Sequence, residues 1–123
     1  MTWILIAIGG AAGAVSRYAV DVAVTERVGS FFPFGTMLIN LSGSFILGLL
    51  FALAMERGVL SPEIRAPLII GFLGAYTTFS TWMLQSWRLV EDGAWVLAFT
   101  NLAGSVVLGM VAVLAGLAVG RLL

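Results

Sequence analysis

The chain has 123 residues, 61% hydrophobic and 10% charged, with a mean hydropathy of +1.11. A soluble domain is about a quarter charged, and here six arginines cancel six carboxylates, which excludes a water-soluble globule, a disordered chain and a nucleic-acid binder with a basic face. The absence of Cys and His removes disulfides, thiol catalysis, Cys-rich metal sites and the commonest general base, leaving a small integral membrane protein.

A helix crossing the hydrocarbon needs roughly 20 apolar residues. The spacing of the charges predicts an all-α membrane protein with four transmembrane helices, at about residues 2–24, 34–55, 66–87 and 94–119. They form a single four-helix domain over 1–123. Glu56, Arg57, Glu63 and Arg65 separate the second span from the third, and Arg88, Glu91 and Asp92 separate the third from the fourth. Gly29, Ser30 and Pro33, then Gly58, Ser61 and Pro62, then Gly93 punctuate the three loops. The first span lacks the basic start and the clean small-residue site of a cleavable signal peptide.

In the first span, Arg17 can snorkel to the interface, pair with Asp21 one helical turn on, or draw anions into a vestibule. The pairing is the expectation. In the second, Thr36 and Asn40 share a face with Gly43 and Ser44. Asn40 serves equally well as an interhelical hydrogen-bonding group or as a donor to an anion in a pore.

The third span carries the densest polarity: Gly71-Phe-Leu-Gly-Ala-Tyr-Thr-Thr-Phe-Ser-Thr-Trp82. Thr77, Thr78, Ser80 and Thr81 sit at mid-span, where polar groups are costly. A break in the third helix between Gly74 and Ser80 is expected. Its freed carbonyls suit a cation, and its new half-helix start suits an anion. Phe79 and Trp82 flank the cluster. Their ring edges offer weakly positive hydrogens to a small halide without a trapping charge, and the Trp82 N–H is a further donor. Trp3, Trp87 and Trp95 fit interfacial anchoring.

In the fourth span, Asn101 and Ser105 lie four apart, so they either extend a polar stripe beside Asn40 or bind one neighbouring helix. Small residues at four-residue spacing (Gly9 and Gly13, Ser44 and Gly48, Ser105 and Gly109, Ala112, Gly116 and Gly120) favour close helix approach. The arginines divide three against three between the two sides, so the positive-inside rule sets no orientation and dual topology is open. A four-helix bundle is thin, and an oligomer is expected.

Together these segments resemble the Fluc or CrcB family of fluoride channels. The resemblance runs through Gly10, Gly13, Ala14, Arg17 and Tyr18, then Pro33 to Thr36, Asn40 and Gly43 to Phe45, then Gly71 to Gly74 and Thr77 to Thr81. It implies passive fluoride efflux across the cell inner (plasma) membrane through an antiparallel, dual-topology homodimer with two pores. It also implies a structural Na+ at the dimer interface, on the Gly74 and Thr77 carbonyls. By motif position, the family's pore groups fall on Asn40, Thr36, Phe79, Trp82, Ser105 and Asn101. Two positions depart from the family: Trp82 stands where Phe is usual, and Gln85 where Glu is frequent.

Two alternatives remain beside this reading. The chain can be one subunit of a heteromeric fluoride channel, or a small multidrug-type proton-coupled exporter. The second needs a titratable group inside the membrane, and every carboxylate here lies near a span end. No nucleophile–base pair or metal set supports an enzyme.

Overall fold

In hydrocarbon a backbone has to satisfy its own polar groups, and an uninterrupted apolar run does so by coiling into a helix. The computed structural model describes residues 1–123. Helix α1 (Thr2–Val28) leads to α2 (Phe34–Phe51), which winds on as a π-helical stretch, Ala52–Glu56. After a loop, α3 (Pro62–Arg65) runs into a second π-helical stretch, Ala66–Leu73, and then α4 (Gly74–Tyr76). Thr77, Phe79 and the residue between them separate α4 from α5 (Ser80–Glu91), and α6 (Trp95–Leu122) closes the chain.

Four helical stretches are long and apolar enough to cross a membrane: Thr2–Val28, Phe34–Glu56, Pro62–Glu91 and Trp95–Leu122. They agree with the predicted spans in number and order. The helices continue past the apolar cores because charged residues are good helix formers once outside the oil. Pro62 opens its helix at a first-turn position, where its missing N–H costs nothing. Each of the three loops turns at a glycine of positive φ: Gly29, Gly58 and Gly93.

Helix α6 lies along α2, and α1 lies along the Ala66–Leu73 stretch. Backbone approach explains both pairs. A Cβ on Gly116 would meet the Phe45 carbonyl, and one on Gly48 the Val113 carbonyl. A Cβ on Gly9 or Gly13 would meet the carbonyl of Pro67 or Phe72. Dispersion contacts have to replace the hydrophobic drive in lipid, and they need this proximity. The Ser105–Gly109 spacing works differently: the nearest atom to a Cβ on Gly109 is Ser44 Oγ, at 3.9 Å.

Only 18 of the 123 residues are buried, so most side chains face lipid or another protein. The small apolar centre is Ile39, Leu73 and Tyr76, with Phe72 stacked on Tyr76. At one end of the bundle, Arg121 donates twice to the Glu56 carboxylate, at 2.8 Å each, tying the ends of the second and fourth spans. This pair is exposed and adds little stability.

The expected Arg17–Asp21 pair is not formed; Glu56–Arg121 is the only ion pair. The Asp21 carboxylate instead lies against Gly35 in the first turn of α2. Negative charge is favoured there by the helix dipole.

Candidate functional site: a polar groove beside an interrupted helix

Thr77 is extended, with φ −80° and ψ 157°, and the helix it ends does not resume until Ser80. In a continuous helix the Thr78 N–H would donate to the Gly74 carbonyl. Here it donates to Asn40 Oδ1 at 2.8 Å, while Asn40 Nδ2 donates to the Thr78 carbonyl at 2.9 Å. One side-chain amide on α2 thus satisfies both backbone groups of Thr78, as a neighbouring strand would. The consequence falls on the carbonyls before it. Gly74 and Thr77 receive no backbone hydrogen bond from the residues four ahead, and both line the adjoining groove.

Packing holds this geometry from behind. Tyr76 OH shares a 2.9 Å hydrogen bond with Ser42 Oγ of α2. The Thr77 methyl and the Tyr76 ring fill the space where Gly43 has no side chain. Asn40, Ser42 and Gly43 together form the seat on which the interrupted segment rests.

The hydroxyl cluster is largely spoken for. Thr77 Oγ1 bonds back to the Leu73 carbonyl at 2.9 Å, the ordinary helix-directed use of a threonine. Thr78 Oγ1 donates to Thr81 Oγ1 at 3.1 Å and accepts the Thr81 N–H at 3.4 Å, beside the start of α5. Ser80 and Thr81 are exposed and lie outside the groove.

The groove has a volume of ≈ 400 Å³ and is open along one side. Asn40, Gly43, Ser44, Thr78, Phe79, Trp82 and Ser105 contribute to its wall, and no charged residue does. Ser105 Oγ is buried without a partner. Asn40 retains one N–H hydrogen beyond its bond to Thr78. The Phe79 and Trp82 rings meet edge to face, with centroids 5.6 Å apart at 73°. The groove therefore has an amide and a hydroxyl residue and two aromatic rings in its wall, and it sets two freed carbonyls at its side.

Several predicted site residues stand elsewhere. Thr36 is buried one turn before Asn40 and is not a wall of the groove. Asn101 is fully buried and also not a wall: of the two readings open for this pair, Asn101 binds a neighbouring helix through Ser86, and Ser105 reaches the groove. The Trp82 N–H is not free for an anion, because it donates to the Asn101 carbonyl at 3.0 Å. A second cavity, ≈ 450 Å³, lies near the first loop and is lined by Asp21, Gln85, Arg88 and Asp92 among others. Arg17 lines neither cavity. Ser42 and Ser86 were missed as structural partners, since nothing in sequence distinguishes a serine that bonds across helices from one that bonds its own.

Residues 4–117 match the family model described as CrcB-like protein, Camphor Resistance (CrcB). The chain belongs to the CrcB family. Its similarity to other members extends over nearly the whole length. It is 49% identical over 119 residues to the fluoride-specific ion channel FluC of Magnetococcus marinus, covering 96% of each chain. It is 47% identical over 121 residues to the fluoride-specific ion channel FluC 1 of Symbiobacterium thermophilum, covering 98% of each. It is 43% identical over 121 residues to FluC of Solibacter usitatus, covering 98% of this chain and 99% of that one. Within this CrcB chain, α2 around Asn40 and the segment at Thr77 build the groove.

Proposed function

We infer that this chain forms a fluoride-selective channel, a passive route by which fluoride leaves the cytoplasm. Full-length similarity to proteins named as fluoride-specific ion channels supports this reading. The observation that carries it is the groove itself: uncharged, with Asn40 and Ser105 donors beside the Phe79 and Trp82 rings. Fluoride is small and strongly hydrated. A pore that passes it has to replace its water with donors, yet hold it weakly enough to let it go. A fixed positive charge in the groove would trap the ion. An amide hydrogen, a hydroxyl and ring edges act as a ladder of weak donors instead.

The driving force is external to the protein. HF enters uncharged from acidic surroundings and ionises inside, and a membrane potential negative inside expels the anion through an open path. No carboxylate lines the groove, so the proton-coupled exporter has no carrier group at its centre.

The working unit in this reading is an antiparallel, dual-topology homodimer in the cell's inner (plasma) membrane, with the third helix broken at Thr77–Phe79. The open side of the groove and the even arginine division support a second copy of opposite orientation. The freed Gly74 and Thr77 carbonyls suit Na+, which takes oxygen ligands, and two copies would present four such oxygens. Bound there, Na+ supplies a positive charge shared by both subunits and so a reason for them to stay together. Exchanging Na+ for a bulky organic cation during purification is predicted to shift the protein from dimer to monomer on size exclusion. A dimer indifferent to the exchange would contradict a bound ion at these carbonyls.

Liposomes containing only this protein test the reading. A fluoride electrode is expected to record rapid emptying of fluoride-loaded vesicles once valinomycin releases the charge imbalance. Vesicles that retain fluoride as protein-free ones do would overturn it.

A further inference from the structure

The two rings of the groove are held very differently. Phe79 is 70% exposed, and its ring carries no hydrogen-bonding atom; only its carbonyl is bonded, accepting the Met83 N–H at 3.0 Å. Trp82 belongs to a closed circuit of three hydrogen bonds. Its Nε1 donates to the Asn101 carbonyl at 3.0 Å, Asn101 Nδ2 donates to Ser86 Oγ at 2.8 Å, and Ser86 Oγ donates to the Trp82 carbonyl at 2.8 Å. Two of its members are buried from every side, Asn101 at 0% and Ser86 at 3% exposure. A hydrogen bond in such surroundings is stronger than one in water, and bonds in a chain reinforce one another. The circuit joins α5 to α6, and its one bond to the ring, from Nε1 to the Asn101 carbonyl, restrains the indole plane.

We propose that the Trp82 indole, tethered by its N–H to the Asn101 carbonyl of α6, is the rate-setting wall of the fluoride path. The proposal rests on the reading of the groove as that path. An untethered ring rotates in picoseconds to nanoseconds and can widen a passage as an ion goes by. A tethered one keeps a fixed width, and each transit has to accommodate it. The Asn101 carbonyl thus acts from behind the ring, while the Asn101 amide nitrogen is spent on Ser86 rather than on the ion.

Two measurements decide the matter. The first is indole N–H exchange into D2O, followed by NMR on the intact protein in micelles. Trp3, Trp87 and Trp95 are 86%, 57% and 67% exposed, so their signals are expected to fade quickly while that of Trp82 persists. Four indoles exchanging alike would remove the tether and overturn the proposal. The second is fluoride efflux from liposomes carrying Trp82→Phe, which keeps a ring and deletes the N–H. Efflux is expected to rise about threefold to tenfold, the factor that one released hydrogen bond represents. A gain is not what structural damage produces. A protected Trp82 indole with equal or slower efflux from the Trp82→Phe vesicles would overturn the rate-setting role. Wild-type vesicles that hold fluoride would instead fault the functional reading, and the exchange measurement would still decide the circuit.

Discussion

Replacing Asn40 with alanine is expected to lower fluoride efflux by about tenfold or more. The Asn40 amide does two things at once. It donates to and accepts from Thr78, at 2.9 and 2.8 Å, and it lines the groove with a remaining N–H. Alanine leaves the Thr78 N–H and carbonyl without partners, at roughly 1–3 kcal/mol for each group left unsatisfied. Every 1.4 kcal/mol or so felt in the transport barrier is a factor of ten in rate. The freed Thr78 N–H can also turn back towards the Gly74 carbonyl, closing the gap in the helix and removing an oxygen from the groove. The same liposome assay reads the result. Unchanged efflux from the Asn40→Ala protein would remove Asn40 from both roles.

The second large effect falls far from the groove's polar groups. Gly116→Leu is expected to prevent the α2–α6 pair from closing, because the Phe45 carbonyl lies where the new Cβ would go and the Leu49 nitrogen is 2.9 Å from that point. Both obstacles are backbone and cannot rotate away. Overpacking of this kind costs about 1–3 kcal/mol even where side chains can adjust. The same two helices carry Asn40 and Ser105, so the groove opens with the seam. Gly109→Ala is the control, since its nearest neighbour is Ser44 Oγ at 3.9 Å. Size exclusion after a thermal challenge should show early loss of the Gly116→Leu protein and wild-type behaviour for Gly109→Ala. Equal melting of the two would contradict the close-approach account of this seam.

The polarity of the sequence was enough to read four spans and their order, because each follows from a local cost. Charges stay out of oil, and a mid-span run from Thr77 to Thr81 needs a reason. Partner choice was not legible. Asn40 was read as equally suited to a pore or to a neighbouring helix. It bonds the backbone of Thr78, thirty-eight positions away, a contact that no spacing rule anticipates. Asn101 and Ser105 have the same spacing as residues that share a face, yet one is sealed behind Trp82 and the other reaches the groove. The Trp82 N–H was read as an anion donor. An α6 carbonyl takes it instead, and only the packing of α5 on α6 reveals that. Arg17 and Asp21 have the right spacing for a pair. Asp21 lies against Gly35 of α2 instead.

In the proposed channel, hydroxyl, amide and ring-edge donors in an uncharged groove replace the water of fluoride and not that of larger halides. Liposomes loaded with equal potassium fluoride and potassium chloride, opened electrically with valinomycin and read by two halide electrodes at once, test it most directly. Fluoride is expected to empty from the protein-containing vesicles while chloride stays. Both halides leaving together would contradict it.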